Sequence, residues 1–486
     1  MSVADVVGQL VRAGLGGQAP VRLKCWDGSA LGPPDAPMQL AFTSPRALRR
    51  LLWAPNELGF ARAYVSGDIV IEGDLTSTLS ELDRIVAAEG GPGVVVDRST
   101  RRALVRAVLG LAREGGVVGP PPRPPAEESS LHALGHTLGQ RHSKDRAARA
   151  IAHHYDVGNE FYELVLGPSM TYSCAYYGQE TGSGGALEEA QLAKCDLVAR
   201  KLGLRPGMRV LDVGCGWGAF VCNAARHYGV EAVGITLSRE QADYARGRAA
   251  EAGVADRVEI RVQDYRDIDD GPFDAIASIG MAEHVGDAML PRYSQDLFAL
   301  LSPGGRLLNH AISRRPGPPG RFSRTSFIDR YVFPDGELQP LAQTVGALED
   351  AGFEVRDVES LREHYALTLR AWVANLEANW DQAVRLTSAG RARVWRLYMA
   401  GAALAFEGNR LGLNQVLAVR PGARGVSGMP LSRASMIDPA LRSHAALPMP
   451  AVLPADTALP MPDVLPLPER LLFPERVLPP TVSPDV

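Results

Sequence analysis

Between residues 208 and 312, short apolar runs recur near 208–213, 230–236, 257–262, 273–280 and 304–312, and the stretches between them read as helices. Strand-length runs alternating with helices predict βαβ units, and therefore an α/β fold built on a parallel, doubly wound sheet. Further strands are expected at 353–359 and 415–420, with two long helical segments between them. The first 90 or so residues have a different rhythm. VRLKCW and MQLAFT alternate as half-buried strands, and GDIVIEGDL at 67–75 is a further short segment. SPRALRRLLW is a helix opened by the capping signal Ser44-Pro45. These elements predict a small α+β module ahead of the sheet.

Boundaries follow from composition. RSTRRALVRAVLGLAR, at 98–113, puts arginines on one helical face and apolar residues on the other, the pattern of a solvated surface helix, with a membrane-surface contact as the alternative. GGVVGPPPRPPAEESS, at 115–130, predicts a linker between an N-terminal domain at 1–114 and a second domain at 131–425. The stretch from 130 to 165 is expected to be mainly helical. In the tail, 426–486, ALPMPAVLP at 446 returns as ALPMPDVLP at 458, and such proline spacing predicts extended or disordered chain.

Charge and composition narrow the function classes. The chain has 486 residues, 46% of them hydrophobic and 22% charged, which are globular values. A net charge of −4 argues against wholesale nucleic-acid binding. Five cysteines at unrelated spacings make neither a disulfide framework nor a zinc pattern and point to a reducing, cytoplasmic setting. No signal peptide and no bilayer-spanning run is read, so any membrane contact is expected at its surface.

Chemistry enters at GMRVLDVGCGWG, residues 207–218. An apolar strand carrying Asp212 breaks into Gly214, Gly216 and Gly218, whose missing Cβ atoms allow a sharp turn and close approach to a ligand at a helix N-terminus. A dinucleotide site wants an acid about 20 residues further on, at the end of the second strand. That strand ends at Thr236, and its acid, Glu231, is at its start. Asp212 suits the ammonium group of a sulfonium nucleoside, so S-adenosylmethionine is the better reading.

Other candidates cluster around that loop. Residues 153–177 crowd five tyrosines, a phenylalanine, His153, His154 and Cys174 among turn formers, which puts several rings on loops. The paired histidines lack further ligands at metal spacing and are read as hydrogen-bonding groups, with no metal site. Asp264 and Tyr265 end the third strand, where Asp264 can accept from an adenine amino group or simply cap a turn. Glu283 and His284 follow the fourth strand and His310 closes the fifth.

Taken together, HHYDVGNEFY, MTYSCAYY, LDVGCGWG, GITLSREQ, QDYRD, SIGMAEHVG, NHAI, RYVFPDGEL, HYALTLRAW and NQVLAV resemble the cyclopropane-fatty-acyl-phospholipid synthases, relatives of the mycolic acid cyclopropane synthases. The resemblance runs from about 150 to 420. It implies a Rossmann-like class I methyltransferase sheet with extra helices, and a lipid-binding role for the N-terminal domain. Tyr172, Ser173, Asp212, Gly214, Cys215, Gly216, Thr236, Gln241, Asp264 and Tyr265 would line the S-adenosylmethionine site. Cys174, Glu283, His310, Tyr365 and the backbone of Ile312 would hold a bicarbonate ion. Two positions depart from the pattern: Ala282 replaces an aromatic, which widens the acyl pocket, and Ala402 replaces a cysteine, which argues against a covalent thiol route.

The implied activity is methyl transfer to a cis double bond of a phospholipid acyl chain, with bicarbonate removing the proton that closes a cyclopropane. The implied partners are unsaturated phospholipid and the inner membrane surface, and a homodimer is left open. Rival readings are a methylene- or methyl-branching enzyme of the same family, a small-molecule methyltransferase, and a non-catalytic lipid-binding homologue.

Overall fold

The computed structural model describes residues 2–15, 21–54, 56–88, 117, 119–128, 144, 157–178, 187–317, 326–334 and 336–437. The arginine-rich segment at 98–113, the pair His153 and His154, and the proline repeat lie outside the described residues, as does all but Lys144 and 157–165 of the stretch expected to be helical at 130–165.

The N-terminal strands are β1 (Val21–Cys25), β2 (Ala30–Leu31), β3 (Met38–Phe42) and β4 (Ile69–Glu72). They form a sheet in the order β2-β1-β3-β4, with β1 and β3 parallel and both outer strands antiparallel. Its buried face follows the alternation in the sequence: Val21, Leu23 and Cys25 point inward, as do Met38, Leu40 and Phe42. Helices Val3–Leu15, Glu57–Val65 and Leu75–Ala88 were not anticipated from the pattern. Pro45 opens the Pro45–Trp53 helix as expected, but the Ser44 hydroxyl does not cap it. It donates instead to the buried Asp68 carboxylate at 2.7 Å, which Arg50 Nε also reaches at 3.0 Å. The aspartate collects so many donors that it outcompetes the helix end.

The second sheet contains β5 (Arg209–Val213), β6 (Glu231–Thr236), β7 (Val258–Val262), β8 (Phe273–Ile279), β9 (Leu301–Arg314), β10 (Gln339–Pro340), β11 (Glu354–Ser360) and β12 (Leu411–Val419). Its order is β11-β12-β9-β8-β5-β6-β7, with β10 beside β9. The strands from β7 to β9 pair in parallel, and β12 runs antiparallel to β9 and β11. After β5 the chain builds outward through β6 and β7, then returns to place β8 on the other side. A crevice therefore opens beyond the carboxyl end of β5, where this topology binds ligands. β5 and β6 are buried along almost their whole length because helices cover both faces.

The two sheets share one apolar core. A continuous cluster of buried side chains includes Leu48, Tyr64 and Val65 of the N-terminal part and Trp372, Trp395, Met399 and Phe406 of the second. The Ala389–Glu407 helix packs against Glu57–Val65 and Leu75–Ala88. Residues 119–128, within the stretch expected to be a linker, are clasped between these parts. Trp53 Nε1 donates to the Gly119 carbonyl and Arg50 to that of Arg123, both at 2.9 Å. Glu128 receives Arg62 through two bonds of 2.7 Å and Tyr331 at 3.2 Å, and Glu127 receives Ser388 at 2.9 Å. The first part of the expected tail also departs from extended, disordered chain. Met436 is buried, its carbonyl accepts from Arg200 at 3.0 Å, and Arg433 pairs with Asp357 at 2.7 Å.

Candidate active site

The crevice after β5 is a cleft whose floor is the glycine loop. Gly214, Gly216 and Gly218 have φ of 82°, 54° and 79°, the left-handed region that side chains avoid. A Cβ on Gly218 would also meet Ala245 Cβ at 2.9 Å. The amides of Gly214 and Cys215 both donate to the Ile235 carbonyl, at 3.0 and 2.8 Å, so these two N–H groups fasten the loop to β6 rather than facing a ligand. All ten residues expected at the cofactor line this cleft: Tyr172, Ser173, Asp212, Gly214, Cys215, Gly216, Thr236, Gln241, Asp264 and Tyr265.

Asp212 is 2% exposed, and its Oδ1 is buried without a hydrogen-bond partner. Burial pushes its carboxyl up to about 7, against the pull of the Lys194 charge. Gln241 accepts from Thr236 at 2.8 Å through Oε1, while its Nε2 has no partner. A cationic ligand and a hydroxyl-bearing one would meet these two atoms. Asp264 is otherwise engaged. It caps the turn that follows and holds the Arg266 guanidinium at 2.7 and 2.6 Å, which is the capping reading, while it also lines the cleft.

Lys194 was not singled out from sequence, yet its ammonium lines the cleft at 1% exposure and donates to Ser173 Oγ at 3.0 Å. Trp217 was missed too. It packs on Tyr162 with ring centroids 4.7 Å apart and donates to Asn159 at 2.8 Å, tying the glycine loop to the aromatic segment. Of that segment, Phe161 and Tyr162 are core residues on the Asn159–Leu166 helix. Tyr172 reaches the cleft from irregular chain and touches Trp372 and Trp395, with centroids 5.4 and 5.8 Å away.

None of the five residues of the second expected group lines the cleft; Cys174 and Glu283 adjoin the lining residues Ser173 and His284 in the chain, and His310 pairs with Ile279 across the sheet. Glu283 lies on a short 3-10 turn after β8 and accepts from the Ile312 amide at 2.8 Å, so that amide is already engaged by protein. Its Oε2 is buried and unpartnered, and burial raises its carboxyl to about 7. His310 lies within β9 rather than at its end, opposite Gln415 of β12. It is 1% exposed, its Nε2 has no partner, and burial together with the charges of Lys194 and Lys201 holds its pKa well below the ordinary value. Cys174 Sγ lies 3.7 Å from the Leu361 carbonyl, which also accepts from the Tyr365 amide at 3.1 Å. Burial pushes this thiol's pKa up, so it stays protonated and is a poor nucleophile.

Residues 142–416 match the family of mycolic acid cyclopropane synthetases. This chain belongs to that family. It is 43% identical over 415 residues to the probable fatty acid methyltransferase Rv3720 of Mycobacterium tuberculosis, covering 85% of this chain and 94% of that one. The tuberculostearic acid methyltransferase UfaA1 of the same organism is 34% identical, covering 83% and 88%. Cyclopropane mycolic acid synthase 1, also from that organism, is 36% identical but spans only 54% of this chain and 93% of its own length. The mycolic acid cyclopropane synthase CmaA1, solved with SAH and CTAB, superposes with a TM-score of 0.52 at 35% identity over 56% of this chain and 97% of that one. The sheet is accordingly that of a class I methyltransferase of this family.

Proposed function

We propose that this chain transfers the methyl of S-adenosylmethionine to a cis double bond in a phospholipid acyl chain and closes a cyclopropane ring. At the coarser level, it is a lipid-modifying, adenosylmethionine-dependent methyltransferase. One observation carries the reading: Asp212 Oδ1 and Gln241 Nε2 are unpartnered in the cleft, while Glu283 Oε2 and His310 Nε2 are unpartnered just behind it. Buried polar atoms are rarely left unpaired, so four of them around one crevice call for ligands.

Each group has work in such a reaction. Ionised Asp212 receives the ammonium of the donor, while Thr236 and Gln241 stand at the strand end that meets ribose hydroxyls in this fold. An isolated alkene is a weak nucleophile, so the protein contributes alignment and the exclusion of water. Positive charge then develops on carbon, where the face of Tyr172, backed by Trp372 and Trp395, stabilises it. Ring closure requires loss of a proton from the added methyl. Bicarbonate, when bound, supplies a base that is not easily alkylated. Cys174, Glu283, His310 and Tyr365 would hold it, and the donor set suits a small anion because Glu283, titrating near 7, can be protonated and donate. The Ile312 amide joins them only by leaving Glu283.

Unsaturated phospholipid as substrate, and contact with the cytoplasmic face of a membrane, belong to the same proposal. Among the described residues, no helix is long and apolar enough to cross a bilayer. The Pro45–Trp53 helix exposes Trp53 (59%) and Leu52 (38%) beside Arg46, a mixture suited to anionic headgroups. A second reading, a methylene or methyl branch, is favoured by the names of the relatives that span most of this chain, which are fatty acid methyltransferases.

Purified protein, vesicles of cis-unsaturated phospholipid and methyl-labelled S-adenosylmethionine decide between them by NMR of the recovered lipid. Labelled ring protons far upfield are the expected result. Vinylidene or branched-methyl signals would replace it with the second reading, and unlabelled lipid would sink both.

A further inference from the structure

Of the 51 lysine and arginine residues, only four are lysines: Lys24, Lys144, Lys194 and Lys201. Two of these four are buried, two turns apart on the Leu187–Leu202 helix. Lys24 and Lys144 are half-exposed, whereas Lys194 and Lys201 each place a compact ammonium inside the protein. Lys194 belongs to the cleft. Lys201, 0% exposed, reaches a different place.

Lys201 Nζ donates to Gln415 Oε1 at 2.8 Å and to Glu359 Oε2 at 2.5 Å, with Asp357 Oδ2 at 3.5 Å. Gln415 is also fully buried, and its Nε2 lies 3.2 Å from His310 Nδ1. An ammonium has only donors, so the end of the amide that faces it must be oxygen. Turned round, Gln415 would set its NH2 against the NH3+ of Lys201 in a site closed to water. The amide nitrogen is thereby committed to His310, and the ring atom it meets must offer a lone pair.

We infer that Lys201 and Gln415 are positioning residues that hold His310 as the neutral tautomer protonated on Nε2. Nδ1 accepts from Gln415, and Nε2–H points away from the network as a fixed donor. A doubly protonated ring would bring Nδ1–H against the Gln415 NH2, so the lock opposes the imidazolium by geometry as well as by burial. The catalytic consequence rests on the function proposed above: His310 donates to the group that removes the methyl proton and does not take that proton itself. The proton goes to an oxygen base, because the Nε2 lone pair is already occupied by hydrogen.

The test begins with full-length protein carrying ring-15N histidine and no added ligand, with the His310 signals assigned by their loss in His310→Asn. Long-range 1H–15N spectra should give the Nε2–H pattern between pH 6 and 8. In Gln415→Glu the carboxylate offers oxygen to both neighbours, so the pattern should reverse to Nδ1–H, with turnover lower by about tenfold or more. Gln415→Met, which fills the space without hydrogen bonds and spares the Lys201 carboxylate pairs, should give a tautomer mixture. An Nδ1–H pattern in the wild type, or an unchanged ring in Gln415→Glu, overturns the inference. Because the spectra need neither lipid nor methyl donor, they stand even if the product differs from a cyclopropane. Reversed spectra with unchanged turnover would refute the catalytic consequence.

Discussion

The cofactor cleft and the group behind it use opposite means to prepare for a ligand. The cleft is made by subtraction: glycines without Cβ atoms, a chain reversal at the end of β5, and polar groups set around an opening. The Glu283–His310 region is made by enclosure. Its polar atoms are packed out of solvent, and burial moves their proton affinities in opposite senses, raising the carboxyl and lowering the imidazole. An open cleft mainly selects what binds, whereas an enclosed group mainly sets which protonation states exist when it does.

That contrast can be broken at either side. The largest effect is expected from Glu283→Gln. Turnover on lipid vesicles should fall by about a hundredfold, the upper range for loss of a group that orients another, while calorimetric affinity for S-adenosylmethionine stays within about threefold. A glutamine cannot accept from the Ile312 amide and donate to an anion through the same oxygens. A matching loss of affinity would merge the two regions into one. Asp212→Asn should do the reverse, weakening S-adenosylmethionine binding by about tenfold, the worth of a hydrogen bond to a charged group. Unchanged affinity would remove Asp212 from the ammonium site.

The smallest effect is on stability. Asp212 and Glu283 both titrate near 7 in the folded chain, above their unfolded values near 4. The native state therefore holds these protons more tightly, and their contribution is greatest at low pH and declines as pH rises from about 4 through 7. The melting temperature should drop less between pH 5 and pH 8 in Glu283→Gln than in the wild type. Parallel curves would mean that the glutamate is not the group titrating.

The contrast also explains what was legible in the sequence. The glycine loop, Asp264 and Tyr265 follow strand ends, which local composition marks, whereas Tyr172, Ser173, Thr236 and Gln241 were implied as cofactor residues only by the family resemblance; all ten line the cleft. All seven expected strands of the large sheet formed: β5, β6 and β8, parallel and buried, are written as nearly uninterrupted apolar runs, and the antiparallel β12 is almost as deeply buried. Lys194 and Lys201 could not be read this way. A lysine on a helix is ordinarily a solvated residue, and the packing of that helix against β8 and β9 encloses these two. Ser44 was misread for a related reason: its competing acceptor, Asp68, is remote in sequence and adjacent in space. The helices at Val3–Leu15 and Glu57–Val65 sit in a stretch whose clearest periodicity is strand alternation, although Asn56 caps the second through the Gly59 amide at 3.1 Å.

The acidic pair Glu127 and Glu128 has a bearing on how such chains can shrink. A relative matched over 93% of its own length covers only 54% of this chain, and the family pattern begins at residue 142. Trimming this polypeptide to that portion would strip the cover from the Ala389–Glu407 helix, take a carboxylate from Arg330 and Tyr331, and leave Ser388 without its acceptor. A raw greasy flank would face water. A viable miniature therefore requires rewriting that flank with soluble side chains, because deletion of codons alone would yield an aggregating remnant.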